Sequence, residues 1–222
     1  SFVPSSGLSV NYLPTTADIA GGSVTLSCTV HGMGSCTLST ASDALLLTFQ
    51  PMPVANAGND AAICSGAMHQ LQGTSVNALS IDWLSLGDGT FNAPGIANPI
   101  YTPGSSDKTA GTVSLVFKAF GISPCNLEQA TDTMVLSIRP LPTASLGGTA
   151  VICEGSPTAL SVNLTGTPPW SITYSSGAQN FVINNILVSP YTFNVSPTIT
   201  TAYTLQAVSD QFCSGVSFGG TA

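Results

Sequence analysis

One stretch of the sequence returns later in the chain. Residues 53–66 read Pro-Val-Ala-Asn-Ala-Gly-Asn-Asp-Ala-Ala-Ile-Cys-Ser-Gly, and residues 142–155 read Pro-Thr-Ala-Ser-Leu-Gly-Gly-Thr-Ala-Val-Ile-Cys-Glu-Gly. Pro53/Pro142, Ala55/Ala144, Gly58/Gly147, Ala61/Ala150, Ile63/Ile152, Cys64/Cys153 and Gly66/Gly155 coincide without a gap, at a spacing of 89 residues. The same shift lays residues 1–52 on 90–141: Phe2 on Phe91, Tyr12 on Tyr101, Asp18 on Asp107, Leu26 on Leu115, Gly32 on Gly121, Cys36 on Cys125, Leu47 on Leu136 and Pro51 on Pro140. A fixed period of this length is the mark of an array of similar units. Residues 1–52 are then the C-terminal half of a repeat, 53–141 a complete one, and 142–222 a repeat of a second subtype whose last strand is incomplete. With no initiator Met, signal peptide or sorting tail, the chain is expected to begin and end inside a larger protein.

The repeats read as strands. Val24, Leu26, Cys28 and Val30 alternate with mostly polar residues, as do Val113, Leu115, Phe117 and Ala119, which is the pattern of a half-buried antiparallel strand. Second strands follow at 44–49 and 133–138. In the complete repeat further strands are expected at 61–64, 69–73 and 80–84, with a turn at Gly87-Asp88-Gly89. In the third stretch they are expected at 171–174, 181–186, 191–195 and 203–208, with another beginning after Gly215. Trp83 is expected to pack between two sheets over a disulfide. Only two Glu and two Lys occur, so surface helices would lack their usual residues. The junctions Gln50-Pro-Met-Pro53 and Arg139-Pro-Leu-Pro142 hold an extended, stiff backbone, so neighbouring units should be strung end to end.

Composition excludes several functions. Net charge is −7 with three Lys and Arg in all, which leaves no basic cluster for nucleic acid or for an anionic lipid surface. Although 43% of residues are hydrophobic, no apolar run approaches the ~18 residues of a membrane span. His31 and His69 stand at no recognisable catalytic spacing, Ser65-Gly66 and Ser214-Gly215 are turns and not a nucleophile elbow, and no carboxylate pair is marked, so the chain is not expected to be an enzyme. Six cysteines occur, without a CxxC pair, so zinc is not expected. One early and one late cysteine per repeat read as disulfides in an oxidising compartment.

The run Ala55-Asn-Ala-Gly-Asn-Asp-Ala-Ala-Ile-Cys64, then Trp83, Gly87-Asp-Gly-Thr-Phe91, Asn98-Pro-Ile-Tyr-Thr-Pro103, Gly111-Thr-Val-Ser-Leu115, Cys125 and Asp132-Thr-Met-Val-Leu136, resembles the PKD-like, immunoglobulin-like repeats of very large Bacteroidetes surface proteins. The gliding-motility adhesins exported by the type IX secretion system are members of that group. Residues 142–222, with Pro168-Pro-Trp-Ser-Ile172 and Thr201-Ala-Tyr-Thr-Leu205, resemble the repeat type that alternates with them. The resemblance implies an all-β fold of tandem β-sandwiches arranged as a rod, attached at the outer-membrane surface. It implies as partners the neighbouring repeats and the secretion and motility machinery, with surface polysaccharide as a further candidate. The expected function is a stalk segment of a surface adhesin. The alternatives are a carbohydrate-binding module, with Tyr101, Trp170 or Tyr191 stacking on sugars, and a noncatalytic accessory domain of a secreted enzyme.

Within that frame the expected disulfides are Cys64–Cys125 and Cys153–Cys213. Cys36 is expected to pair upstream of residue 1, and Cys28 is either a small core residue or a partner of Cys36. No cofactor is expected. If a metal is held it is calcium, on Asn59, Asp60, Asp88 and Asp132. Against this, Asn59-Asp60 has become Gly148-Thr149 in the next repeat, and aspartates at turn and strand starts bond backbone amides. Asp132-Thr133-Met134 fits the short O-glycosylation site that the resemblance implies, with Thr133 as acceptor.

Overall fold

The computed structural model describes residues 1–3, 9–215 and 217–222, and is built almost wholly of antiparallel strands. Among the described residues, every hydrogen-bonded strand pair lies within one of three stretches: 1–52, 53–141 or 142–222.

In the middle stretch, one sheet runs in the order Ala61–Cys64, Gln129–Arg139, Thr112–Gly121, Ala78–Ser85. The period-two pattern sets its faces. Val113, Leu115, Phe117 and Ala119 are buried, while Ser114, Val116, Lys118 and Phe120 between them are half-exposed. Met134, Leu136 and Ile138 continue the buried face on the neighbouring strand. Short strands cover it: Val54–Asn56 with Thr74–Val76, and His69–Gln70, Ile100–Thr102 and Thr90–Phe91 in a second group. Ala57, Leu71, Trp83 and Tyr101 close the core between the layers. Each fully buried Leu or Phe there stabilises by about 1.5–3 kcal/mol. Trp83 does pack between the layers, but no disulfide lies beneath it. Its ring rests 4.9 Å from that of Phe117, and its indole N–H donates to the Ala97 carbonyl at 3.2 Å.

The third stretch is a second two-layered sandwich. Tyr191–Val195, Thr158–Leu164, Thr143–Gly147 and Ser217–Gly219 form one sheet; Asn180–Ile186, Trp170–Ser175 and Thr204–Ser209 form the other. Leu160, Val162, Ile172, Ile186 and Val208 fill the space between them. Two strands, Thr143–Gly147 and Thr158–Leu164, lie where the sequence analysis places none, although Ala144 with Leu146 and Leu160 with Val162 and Leu164 alternate with more polar residues and are buried. Conversely, Ile152 and Cys153, which echo Ile63 and Cys64, lie outside any strand.

The first stretch holds a long hairpin, Ser23–His31 with Thr40–Thr48. Val24 and Leu26 are half-buried, whereas Cys28 and Val30 are exposed, against the expectation of one inward face. Two short helices, Thr16–Ala20 and Ser105–Ala110, also depart from the composition-based reading. They stand 89 residues apart and form because an aspartate in the first turn bonds the capping residue. Asp18 accepts from the Thr15 amide at 2.8 Å, and Asp107 from the Gly104 amide at 3.0 Å. Such caps hold a single turn without a good helix composition.

Candidate functional site

The feature that ties the stretches together is at the junction Arg139-Pro-Leu-Pro142. Ala61–Cys64 pairs in parallel with the end of Gln129–Arg139, so that Cys64 stands in register with Arg139. On the far side of the junction, Cys213 sits in the loop after Thr204–Ser209. Asp210 shapes that loop: one carboxylate oxygen accepts the Phe212 and Cys213 amides at 2.8 and 2.7 Å, and the other accepts the Thr167 amide at 2.9 Å. Burial pushes the Asp210 carboxyl upward, but the Thr167, Cys213 and Phe212 amides and the nearby Arg139 charge hold it below its ordinary value. Gly215 is needed here, because a side chain would run into the Pro142 carbonyl. Cys64 and Cys213 are disulfide-bonded, with Cα atoms 5.8 Å apart at a sequence separation of 149. The Arg139 guanidinium lies over the Phe212 ring, 3.6 Å from its centre.

This bond corrects both expected pairings. Cys125 lies in the hairpin turn beyond the Phe120–Gln129 pair, and Cys64 at the other end of the same 11-residue strand, beside Arg139. At ~3.4 Å per residue the two ends are about 35 Å apart, whereas bridged Cα atoms lie within ~7 Å. Cys153 and Cys213 are separated in the same way. The turn at Cys153 leads to Gly155, whose amide donates to the Pro197 carbonyl, while the Cys213 loop bonds Thr167 near the junction. Cys28, Cys36, Cys125 and Cys153 are unpaired thiols, so Cys28 is neither buried nor bonded to Cys36.

The carboxylates named as calcium candidates bond backbone amides. Asp60 accepts from Val135 and Asp132 from Ala57, each at 2.8 Å, two reciprocal clamps between residues 57–60 and the strand Gln129–Arg139. Asp88 is elsewhere, accepting the Ser106 and Asp107 amides at 2.9 and 3.1 Å; these bonds lower its carboxyl to about 2. Asn59 is half-exposed or exposed with its neighbours in a shallow hollow of about 210 Å³ shared with His69. His69 is pushed down by burial. Among the described residues no three His, Cys, Asp or Glu side chains come together as a metal set. Thr133 is exposed on its strand, flanked by buried Met134.

The most connected polar group is Asp107, one of the turn-start aspartates expected to bond backbone amides; what sequence reasoning missed is its burial against Tyr101. Asp107 is 2% exposed, yet accepts from the Tyr101 hydroxyl at 2.6 Å and from the Gly104, Gly89 and Asp88 amides at 3.0, 3.1 and 3.2 Å. Gly87 and Gly89 are the residues that let the turn close on it, since a Cβ at either would collide with Asp107 or Tyr101. Burial and then the bond to Asp107 raise the Tyr101 hydroxyl to about 12. Tyr12 and Asp18 repeat the pair at 2.6 Å on the surface. The signal was present in the 89-residue correspondence of Tyr12 with Tyr101 and of Asp18 with Asp107.

The aromatics nominated for sugar stacking are not surface platforms. Tyr101 is fully buried, Trp170 is buried with its indole N–H on the Thr165 carbonyl at 3.0 Å, and Tyr191 is half-exposed against Phe193. Among the described residues no helix is long and apolar enough to cross a membrane. The disulfide is of the kind found in extracellular or secreted domains.

In comparisons with known proteins, the family described as the Ig-like domain of nucleoporin POM152 matches residues 141–217. No curated protein matches the chain in sequence. Among solved structures, the N-terminal eight Ig domains of Down Syndrome Cell Adhesion Molecule align with 86% of this chain at 14% identity and a TM-score of 0.49. The chain spans 30% of that structure's length. A three-Ig stretch of titin aligns with 91% of this chain and 76% of its own length, at 12% identity and a TM-score of 0.41. Drosophila OTK extracellular domains 3–5 align at 11% identity, 87% and 68% coverage, and a TM-score of 0.31. The Ig-like family match and the paired β-layers together describe immunoglobulin-like β-sandwich structure.

Proposed function

We propose that this chain is a length of the stalk of a large cell-surface adhesin, a rod of tandem sandwiches that holds a distal adhesive region away from the cell and carries tension. The residues quoted above align this reading with the PKD-like repeats of giant Bacteroidetes surface proteins. In that setting the stalk is exported by the type IX machinery, attached at the outer membrane and used in gliding or attachment. One observation carries the mechanical reading: the Cys64–Cys213 bond joins two successive sandwiches across a proline-rich junction. Tension entering before Cys64 passes through the disulfide to Cys213 and bypasses the backbone between them. Neither core then has to resist the load by its hydrogen bonds alone. A catalytic or sugar-binding role has no comparable support, since the nominated aromatics are turned into cores or half-covered.

The test is made on the full-length surface protein. Replacing Cys64 and Cys213 by Ser should leave display and static attachment intact and reduce retention of cells under shear flow. Equal retention at every shear, or saturable binding of the unmodified chain on a glycan array, would sink the stalk reading.

A further inference from the structure

We propose that Cys125 is one half of a second inter-repeat disulfide, whose other half is the early cysteine of the repeat that ends at Gln50. Successive repeats are thereby stapled early-to-late at every joint of this type. The proposal rests on junction geometry and not on the stalk reading.

The closed joint gives the rule. The early cysteine, Cys64, stands in register with Arg139, the last residue before the prolines. It bonds the late cysteine of the next sandwich, Cys213, and its sulfur also lies 3.5 Å from the Phe212 carbonyl in that cysteine's loop. One period upstream, Gln50 takes the place of Arg139 and Pro51 that of Pro140. The late loop of the sandwich that follows Gln50 is the one carrying Cys125, and the Cys125 sulfur lies 3.7 Å from the Gln50 carbonyl. The thiol is thus already beside the residue that an early cysteine would neighbour by strand register. It is half-buried and unpaired.

The loop is rigid enough to present it. Gly121 donates to the Glu128 carbonyl, Cys125 to Ile122 and Glu128 to Cys125. The same three bonds recur one period earlier, from Gly32 to Ser39, Cys36 to Met33 and Ser39 to Cys36. Gly121 and Gly32 are each too close to the following cysteine's carbonyl for any side chain. The loop is therefore a repeated device and not a local accident.

Formation is ordinary thiol–disulfide exchange. The Cys125 thiol and the partner thiol lose two protons and two electrons as the S–S bond forms. A small disulfide such as oxidised glutathione accepts them and leaves as two thiols.

The test completes the upstream repeat with the chain's own sequence. Residues 53–89 are placed directly before residue 1, the position that corresponds to residue 90, which supplies a second copy of Cys64. After oxidation with glutathione, alkylation and non-reducing digestion, the added cysteine should be found joined to Cys125, with Cys64 still joined to Cys213. Changing Cys125→Ser should leave the added cysteine alkylated, and Cys36→Ser should change nothing. An added cysteine bonded to Cys36, or Cys125 alkylated while Cys64–Cys213 is intact, overturns the proposal. Should the extended chain not form Cys64–Cys213, thiol-blocked native protein taken from cells decides. The Cys125 peptide must be recovered in a disulfide with a peptide from outside residues 1–222, and recovery as a blocked thiol overturns the proposal. Either result leaves the shear experiment on the stalk reading to stand or fall by itself.

Discussion

Two joints of one design stand in different covalent states in this chain. At Arg139–Pro142, strand register brings Cys64 to the edge of its sandwich and Asp210 holds the Cys213 loop against it, and the two sulfurs are bonded. At Gln50–Pro53 the downstream half of the same arrangement is present: Cys125 lies by the Gln50 carbonyl, but its sulfur is unpaired. The difference teaches that the middle sandwich carries Cys64 and Cys125 at opposite ends, one beside Arg139 and the other beside Gln50. An early and a late cysteine in one domain would ordinarily read as an internal brace. Here a strand about 35 Å long separates them, and the brace is between domains.

The sharpest way to break that comparison is to open the closed joint. When the oxidised chain is pulled by its ends, the 149-position loop between Cys64 and Cys213 should stay out of the extension. With reductant, or after Cys64→Ser, that loop should add about 500 Å of contour at ~3.3–3.6 Å per residue. In denaturant, joint unfolding of both sandwiches should become easier by up to about 5 kcal/mol on loop-closure entropy. Equal contour lengths with and without reductant would show that the bond does not carry the load. The joint at Gln50–Pro53 should give no reductant-dependent change in this chain.

A second contrast follows the Tyr–Asp pair, which is buried in the middle sandwich and exposed in the first stretch. Asp107→Ala leaves three amides without their acceptor around a buried site and the Tyr101 hydroxyl with Ser85 alone, and should cost roughly 3 kcal/mol. Asp18→Ala removes the same type of bond at the surface and should cost clearly less, as a lost capping contact. Equilibrium denaturation of the two variants reads the difference, and equal losses would mean that burial does not distinguish the two copies.

Much of this was legible from the amino acids and some was not, for physical reasons. The 89-residue period matches Cys125 with Cys36, and the two turns repeat the same three backbone bonds. Alternation placed Val113, Leu115, Phe117 and Ala119 inward, because a strand with one wet face has a period of two. The same alternation misled at Cys28 and Val30, since burial depends on a facing layer and not on the strand itself. The disulfide partner was not legible because sequence spacing is indifferent to which end of a strand a cysteine occupies; the parallel register of Ala61–Cys64 with Leu136–Arg139 decides it. The calcium nominees have the right atoms, but sequence spacing does not show that Asp60, Asp132 and Asp88 each accept backbone amides, of Val135, Ala57 and Ser106 with Asp107, and that Asp88 stands at a different turn from the other two.

Titration separates the two copies of the latch at both ends of the pH scale. Asp18 and Asp88 are held at about 2, the first chiefly by the Tyr12 hydroxyl and the second by the Ser106 and Asp107 amides. An unfolded aspartate titrates near 3.9, so the unfolded chain takes up these protons first as pH falls. Their contribution is complete above about pH 4 and is lost between ~4 and ~2. Tyr101 has the opposite sign. It is raised to about 12 by burial and then by Asp107, against ~10 unfolded, so its contribution is complete below about pH 10 and is lost as pH rises toward 12. Circular dichroism of Asp88→Asn should show a flatter acid limb, and Tyr101→Phe a flatter alkaline limb. A wild-type alkaline limb in Tyr101→Phe would remove the Tyr–Asp latch as its cause.

The smallest expected effect is at the closed joint itself. Arg139 lies over the Phe212 ring on the surface of the junction, a contact worth about 0.5–1 kcal/mol at an exposed site. Gln50, its counterpart, has no charge to offer such a ring, and the Cys125 loop holds no aromatic residue between Ile122 and Glu128. Arg139→Gln therefore converts one joint toward the other without touching a sulfur. With the disulfide intact, the change should be near the limit of measurement, because the covalent bond already fixes the loop. In the Cys64→Ser background the same substitution should cost its full ~0.5–1 kcal/mol, since the ring and the cation then help to hold the sandwiches together. A double-mutant cycle on Arg139 and Phe212 in both backgrounds measures this, and a coupling no larger without the disulfide than with it would show that the pair only decorates the joint.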